Sequence, residues 1–295
     1  MQAHAKIAVA GATGRVGRHL VDVLQTRGHQ VVRMSRSSGV DVVTGAGLAD
    51  ALAGVECVID VASGPSPDQT LATQFFTAAA RNLHAAGERA GVRRMVVVSI
   101  IGCDRFTAGY SAAKVAHEQA MLSGPIPVRV LRAAQFHEFV AQLVDWGRQG
   151  EVSYVPMMRT QLVAARTVAE ALADLATTPW ADVPSSVIPE IAGPREERLV
   201  DVAQRLVARR GEALRIEGVV DPADPDHDLY QSGALLPGGH ATLAGPTFEE
   251  WLESTTRAAA ALPRSVAPRH QPSLARRPPQ GPARGAGLHE RGSAA

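Results

Sequence analysis

The chain has 295 residues, of which 45% are hydrophobic and 20% are charged. These values exclude a disordered chain over most of the length and a disulfide-stapled miniprotein, because so long a sequence can bury a substantial core. The 30 lysines and arginines balance the 29 acids to a net charge of +1, so the composition gives no reason to expect a nucleic-acid partner.

Cysteine and apolar patterns indicate the compartment. Cys57 and Cys103 lie in or beside apolar runs, so we expect buried, reduced thiols. The ten histidines show no metal-ligand spacing, and no metal site is predicted. A strand-like segment begins at Lys6, and no run reaches about 18 apolar residues. We therefore expect a cytoplasmic protein without a membrane partner, whose oligomeric state the sequence does not indicate.

Short β-branched runs alternate with longer amphipathic segments through residues 1–136. This alternation predicts an α/β doubly wound fold, with a mostly parallel Rossmann sheet covered by helices on both faces. The predicted strands are 6–10, 30–35, 40–43, 57–62, 95–100, 128–133 and 187–192. The predicted helices are 14–27, 48–53, 68–90, 110–122, 137–150, 167–176 and 199–210.

The pattern divides the chain into three parts. Residues 1–155 are predicted to form the Rossmann core, and residues 156–262 a small C-terminal lobe that adds the last sheet strand and completes a substrate pocket. Residues 263–295 hold six prolines, six arginines and no aromatic residue, so we expect a disordered basic tail. Such a tail is either a weak tether to nucleic acid or acidic surfaces, or an extension without a role.

A glycine-rich turn, Gly11-Ala-Thr-Gly14-Arg-Val-Gly17, joins the first predicted strand to the first helix. In this context the glycines permit a tight turn, a close approach to a pyrophosphate and close packing of the helix on the sheet. The N–H groups of the first helical turn then face the phosphates. The predicted cofactor-binding residues of this turn are Gly11, Thr13, Gly14, Arg15, Val16 and Gly17.

The residues after the second strand predict which dinucleotide binds. An acid there would bind the adenosine ribose diol and repel a 2′-phosphate, but residues 31–37 contain none. Ser35 and Arg36, with Arg15, offer donors suited to a 2′-phosphate. We therefore expect NADP(H) in preference to NAD(H); the alternative is that these arginines only form a solvated face.

Two positions near the cofactor are more ambiguous. Asp41 is expected either to accept a hydrogen bond from the adenine amino group or to cap a turn. Ala62 is placed at the cofactor cleft. Asp60, which follows an apolar pair near the same cleft, is expected to make a structural hydrogen bond.

A tyrosine and a lysine stand four residues apart in Tyr110-Ser-Ala-Ala-Lys114, in a chain with three tyrosines and two lysines. Residues i and i+4 share a helix face, so we expect the ammonium to lower the pKa of the phenol. A phenol shifted from about 10 toward neutrality can donate a proton to a carbonyl oxygen. Tyr110 and Lys114 are predicted catalytic residues, and the amine can also bind ribose hydroxyls.

Other side chains are candidates for contact with the substrate. Ser99 ends a strand at the carboxyl edge of the sheet, where its hydroxyl either stabilises a developing oxyanion or bonds to backbone. Phe136 and His137 open the helix after the sixth strand and are predicted to bind substrate; the alternative is core packing. His117 and Glu118 are expected to be solvated.

Three segments, residues 11–17, 90–99 and 110–114, together resemble the short-chain dehydrogenase/reductase superfamily, in its atypical NmrA-like or NAD(P)H-binding branch. The resemblance covers about residues 5–262. It implies Ser99 as oxyanion or substrate donor, Tyr110 as proton donor and Lys114 as ribose anchor.

The sequence departs from the extended members of that superfamily at one position. Phe76 stands where they carry a catalytic asparagine, and Asn82 lies a turn and a half later, so the usual proton relay is in doubt.

The residues and the resemblance together predict an NADPH-dependent oxidoreductase that transfers hydride to a carbonyl or quinone-like group of a small apolar metabolite. Two alternatives stay open. One is a redox sensor that binds NADP(H) without turnover, and the other is an epimerase that uses the nucleotide transiently.

Overall fold

The structure, a computed structural model, describes residues 4–64, 66–180 and 187–261. The predicted tail at 263–295 therefore lies outside the described residues. The strands are β1 (Lys6–Ala10), β2 (Gln30–Met34), β3 (Cys57–Asp60), β4 (Arg94–Ile100), β5 (Val128–Ala133), β6 (Arg148–Gln149), β7 (Val152–Pro156), β8 (Arg159–Thr160), β9 (Glu190–Ala192), β10 (Glu197–Arg198), β11 (Arg215–Val219) and β12 (Thr242–Leu243). The helices are α1 (Gly17–Thr26), α2 (Leu48–Ala51), α3 (Gln69–Ala90), α4 (Gly109–Leu122), α5 (His137–Trp146), α6 (Ala165–Thr177), α7 (Leu199–Arg210), α8 (His227–Ser232) and α9 (Phe248–Ala261).

Seven parallel strands form the central sheet, in the order β2-β1-β3-β4-β5-β9-β12. The predicted α/β fold with a parallel sheet is confirmed. The chain order reverses between β1 and β3, which is the switch point where ligands of open parallel sheets bind, beyond the carboxyl ends of the strands.

The apolar runs of the strands are continuous because helices cover both faces of the sheet. Along β1, Ile7 and Val9 pack in one buried cluster with residues of α1 and α6. Ala8 and Ala10 point the other way, into a cluster with residues of α2, α3 and α4. The small side chains of β1 let the glycine-rich turn and the helices approach its end closely.

The segment 40–43 was predicted to be a strand, and this prediction is wrong. Asp41 instead forms a turn, in which its side chain accepts a hydrogen bond from Val43 N at 2.8 Å and its backbone N–H donates to Ala46 O. Val40 and Val42 are buried by packing against the sheet. Their alternating pattern therefore reflects burial without strand pairing.

A smaller lobe follows the Rossmann strands. Its β6, β7 and β11 form one sheet, and β8 and β10 form another. Side chains of β7 and β11 pack with residues of α5, α7, α8 and α9 in a third apolar cluster. The predicted helix 137–150 is too long, since α5 ends at Trp146. Gly147 packs so closely on the backbone of Tyr154 that a Cβ would overlap it, and the β6–β7 hairpin begins there.

Candidate functional site

The glycine-rich turn lies at the carboxyl end of β1, between β2 and β3. Gly11 has a φ of +78°, and a Cβ on it would lie 2.7 Å from the Cα of Ala62. A Cβ on Gly17 would overlap the carbonyl oxygen of Gly11. Gly11 therefore needs glycine for its backbone conformation and for its close contact with Ala62. Gly17 needs glycine for its close contact with Gly11.

The turn fits the phosphates of a dinucleotide. Helix α1 begins at Gly17, with no side-chain cap at its start and no acid in its first turn. The N–H groups of Arg18 and Leu20 donate to the carbonyl oxygens of Gly14 and Val16. The positive end of the helix dipole favours an anion at this turn. Thr13 and Gly14 are exposed, whereas Val16 is buried beneath the turn.

The two arginines predicted to contact a 2′-phosphate lie in different places. Arg36 is exposed at the end of β2. Ser35 beside it starts a short 3₁₀ turn, where its hydroxyl bonds to Ser37 and Ser38. The side chain of Arg15 instead lies against α5, where it donates a hydrogen bond to Gln142 at 2.6 Å. Of the three predicted donors to a 2′-phosphate, Ser35 and Arg36 therefore lie beside the end of β2, and Arg15 lies against α5.

Asp60 connects the glycine-rich turn to helix α4. One oxygen of its carboxylate, Oδ1, accepts from the backbone N–H of Ala62 at 2.9 Å, and Ala62 packs against Gly11. The other oxygen, Oδ2, lies 3.2 Å from Nε2 of His117. The expected structural hydrogen bond of Asp60 is present, and it places α4 beside the cofactor turn.

Tyr110 and Lys114 lie on the first two turns of α4, as their spacing predicted. Nζ of Lys114 donates to the carbonyl oxygen of Val98 at 2.8 Å and lies 2.8 Å from Nδ1 of His117. The same nitrogen is 4.4 Å from the centre of the Phe76 ring. The amine is thus held from three sides in a buried site.

The predicted effect of Lys114 on the phenol is wrong in direction. Burial, followed by the negative charge of Asp60, raises the pKa of Tyr110 to about 12. Burial also lowers the pKa of Lys114 to about 8, although the charge of Asp60 opposes it. Removal from water is the largest cause of both shifts.

Phe76, at the position of the asparagine in extended family members, is fully buried on α3. Its ring stacks on His117 with centroids 4.5 Å apart and meets the edge of Tyr110 at 5.8 Å. Asn82 donates instead to the carbonyl oxygens of Val42 and Val43. At this part of α3, Phe76 therefore forms an aromatic cluster with Tyr110 and His117.

Ser99 belongs to a polar cluster behind the tyrosine. Its hydroxyl lies 3.7 Å from Sγ of Cys103, and that thiol donates to Glu118. Arg132 binds both oxygens of Glu118, at 3.0 and 2.8 Å. Glu118 and His117 are buried, so their predicted solvation is wrong. Among the described contacts, none joins Ser99 to Tyr110.

The two predicted substrate contacts have protein partners. His137 is 1% exposed, its Nε2 lies 3.1 Å from Pro246 O, and its ring packs against Phe248 and Trp251. Phe136 is half-buried and packs on the core of the sheet. Both residues therefore join α5 to its neighbours.

Three residues near the site make long-range contacts that no local sequence pattern predicts. Asp60 and His117 are 57 residues apart, and their contact depends on the packing of α4 beside β3. Asp226 accepts hydrogen bonds from the backbone N–H groups of Thr107 and Ala108, just before Tyr110, across 119 and 118 residues. Only the tertiary structure could identify these pairs.

Sequence comparison gives a family match. A family model described as NAD(P)H-binding matches residues 11–179. A comparison with curated proteins found no match. Within the described residues, every helix is too short or too polar to span a membrane.

Solved structures share the fold at low sequence identity. UDP-N-acetylglucosamine 4-epimerase from Bacillus cereus has a TM-score of 0.63 at 16% identity, over 89% of this chain and 99% of its own. dTDP-4-dehydrorhamnose reductase from Bacillus anthracis str. Ames, in complex with NADP, has a TM-score of 0.62 at 16% identity, over 87% of this chain and 100% of its own. MoeE5 in complex with UDP-glucose and NAD has a TM-score of 0.61 at 18% identity, over 86% of this chain and 100% of its own.

Proposed function

Because the chain belongs to the NAD(P)H-binding family, an atypical branch of the short-chain dehydrogenases/reductases, we propose that it is an NADPH-dependent oxidoreductase acting on a small apolar carbonyl or quinone-like compound. The observation that carries the proposal is the short path from the glycine-rich turn through Ala62, Asp60 and His117 to the Tyr110 helix. That path brings a phosphate-binding turn and a candidate acid to one edge of the sheet.

The residues proposed to hold the cofactor follow from this geometry. The turn from Gly11 to Gly17 would bind the pyrophosphate through backbone N–H groups, and Ala62 would line the cleft. When bound, the reduced nicotinamide supplies the hydride for the reaction. Lys114 would bind ribose hydroxyls, which requires its amine to exchange one present partner for the cofactor.

The proposed role of Tyr110 is that of an acid in the direction of reduction. With a pKa of about 12, its phenol is protonated at neutral pH and can donate to a carbonyl oxygen. The rings of Phe75 and Phe76 beside it give this part of the cleft an apolar wall. Such surroundings favour an apolar substrate.

The preference for NADP(H) is proposed from the end of β2. Arg36 is exposed there, and residues 31–37 contain no acid. A guanidinium can bind a 2′-phosphate through paired N–H donors, whereas an exposed arginine offers little to a ribose diol.

One observation favours a second candidate, an NADP(H)-binding regulator without turnover. The amine of Lys114 is already bound by Val98 and His117. If these contacts persist with the cofactor, Lys114 cannot assist the reaction, and binding alone would be the function.

Oxidation of NADPH across ketones, quinones and enones, with wild type and Tyr110→Phe, separates the two. A reductase should lose about 100-fold or more of its turnover in the variant while the Kd for NADPH stays unchanged. Equal, negligible oxidation by both proteins, with tight NADPH binding, would favour the regulator.

A further inference from the structure

Two buried side chains that the proposed reaction does not use extend from the amine of Lys114. His117 follows it by three residues on α4, and Asp60 ends β3. Nδ1 of His117 lies 2.8 Å from Nζ of Lys114, and Nε2 lies 3.2 Å from Oδ2 of Asp60. The side chains of His117 and Asp60 are each 1% exposed.

The chemistry of the three groups sets the direction of each hydrogen bond. An ammonium has donors only, so Nδ1 of His117 accepts from Lys114. The ring then carries its proton on Nε2 and donates it to the carboxylate of Asp60. Burial, followed by the charge of Lys114, lowers the pKa of His117, which agrees with a neutral ring. One positive and one negative charge are thus joined through a neutral imidazole.

The other groups around Lys114 do not supply this counter-charge. The titratable groups facing its amine are Asp60 from β3, Cys103 from the turn after β4, and His117 and Glu118 from α4. From β4 it meets the Val98 carbonyl, and from α3 the Phe76 ring. Arg132 of β5 already binds both oxygens of Glu118. Asp60 is therefore the carboxylate left to balance the amine.

We propose that Asp60 and His117 are positioning residues that keep the buried amine of Lys114 charged and fix its direction. The effect on turnover rests on the proposed function. The amine needs the hydrogen bond of His117 and the charge of Asp60 because α3 offers it no polar side chain at this point. The ring of Phe76 lies over the amine there. A bare ammonium in this site would lose its proton to escape the cost of burial.

The composition of the chain makes the proposal directly measurable. It has only two lysines, Lys6 and Lys114, so lysine labelled with ¹³C at Cε gives two resonances whose shifts follow ionisation with pH. Lys6 donates to Ala53 O on an exposed part of the molecule and provides an internal reference. Spectra of the full-length protein need neither cofactor nor substrate.

The expected result is a titration of Lys114 near pH 8 in the wild type. Asp60→Asn, which keeps the acceptor for Ala62, should lower this midpoint by about one pH unit, and His117→Leu should also lower it. His117→Gln can still accept from Lys114 and donate to Asp60, so its midpoint should lie close to wild type. The Lys6 curve should be the same in every protein.

The control is His84→Gln. His84 is a buried histidine of α3 that bonds to Met121 O of the same α4, and its substitution should leave the Lys114 curve unchanged. Coincident Lys114 curves in wild type, Asp60→Asn and His117→Leu would overturn the proposal. A lowered midpoint in a protein that oxidises no NADPH would support the positioning role and refute the proposed reductase.

Discussion

Burial acts in opposite directions on the two ionisable groups of the Tyr110 helix. It raises the pKa of the Tyr110 phenol to about 12 and lowers that of the Lys114 amine to about 8. The phenol therefore keeps its proton at neutral pH, while the amine lies close to its titration range. Near neutral pH, the charge of Lys114 therefore changes more with pH than that of Tyr110.

The lowered pKa of Lys114 predicts a pH-dependent stability. Between about pH 8 and pH 10.5, its ordinary value, the unfolded chain binds more protons at Lys114 than the folded chain, so this residue makes the unfolding free energy rise with pH. From pH 7 to pH 11 the wild type should therefore gain about 3 kcal/mol relative to Lys114→Met. Urea unfolding at several pH values measures this difference, and a difference independent of pH would contradict it.

Arg36 sets the expected choice of cofactor. Arg36→Ala removes a charged donor pair from the end of β2, so the Kd for NADPH should rise about tenfold or more while the Kd for NADH changes little. Arg33→Ala is the control, because Arg33 is an exposed residue of the same strand that donates to Gln25. Fluorescence titration of the wild type and both variants with each reduced cofactor gives the six dissociation constants. An equal loss in both Arg variants would refute the assignment.

At the scale of elements, the start of α4 is held by a residue of the C-terminal lobe. Oδ2 of Asp226 accepts from Thr107 N at 2.6 Å and Ala108 N at 2.7 Å, and Oδ1 accepts from the Thr107 hydroxyl at 3.0 Å. Tyr230 of α8 packs on Phe106 beside this contact. The lobe therefore orients the turn from which Tyr110 follows.

Asp226→Ala should lower the unfolding free energy by about 2 kcal/mol, because it removes the carboxylate that accepts from the partly buried N–H groups of Thr107 and Ala108 before α4. The exposed Asp228 on α8 is the control, and Asp228→Ala should change stability by less than about 0.5 kcal/mol. Chemical unfolding measures both. Similar losses in the two variants would show that the contact with Thr107 and Ala108 does not stabilise α4.

The glycine-rich turn allows a test of close packing apart from backbone strain. Gly11 and Gly91 have φ values of +78° and +76°, but a Cβ on Gly91 would meet nothing within 4 Å. Gly91→Ala should therefore cost about 1 kcal/mol of stability from strain alone. Gly11→Ala should cost more and weaken NADPH binding, because the backbone at Ala62 must move. Equal losses of stability, with unchanged NADPH affinity, would be evidence against a tightly packed turn.

Across the whole molecule, the parts predicted from sequence are those determined by local pattern. The parallel sheet was predictable because strands buried on both faces, such as Met95 to Ile100, are continuous apolar runs. The strands of the lobe were not, since β6, β8 and β10 have two residues each and β7 pairs with the distant β11. Strands this short leave no periodicity to detect.

The features of the candidate site also fall into two groups, those predictable from local sequence and those that depend on the tertiary structure. The glycine-rich turn and the Tyr110–Lys114 spacing depend on neighbours in sequence and were predictable. The contacts of Asp60 with His117 and of Asp226 with Thr107 span 57 and 119 residues, and no local spacing indicates them. The direction of the Tyr110 pKa was wrong for the same reason, because burial is a property of the folded chain.

The central claim is that a cofactor held by the glycine-rich turn presents its nicotinamide to Tyr110. A crystal structure of the complex with NADP⁺ tests it most directly. The account predicts the pyrophosphate on the backbone N–H groups of the turn, the 2′-phosphate at Arg36, and the Tyr110 hydroxyl facing the nicotinamide ring. A nicotinamide bound away from α4, with the Tyr110 hydroxyl directed into the protein, would contradict it.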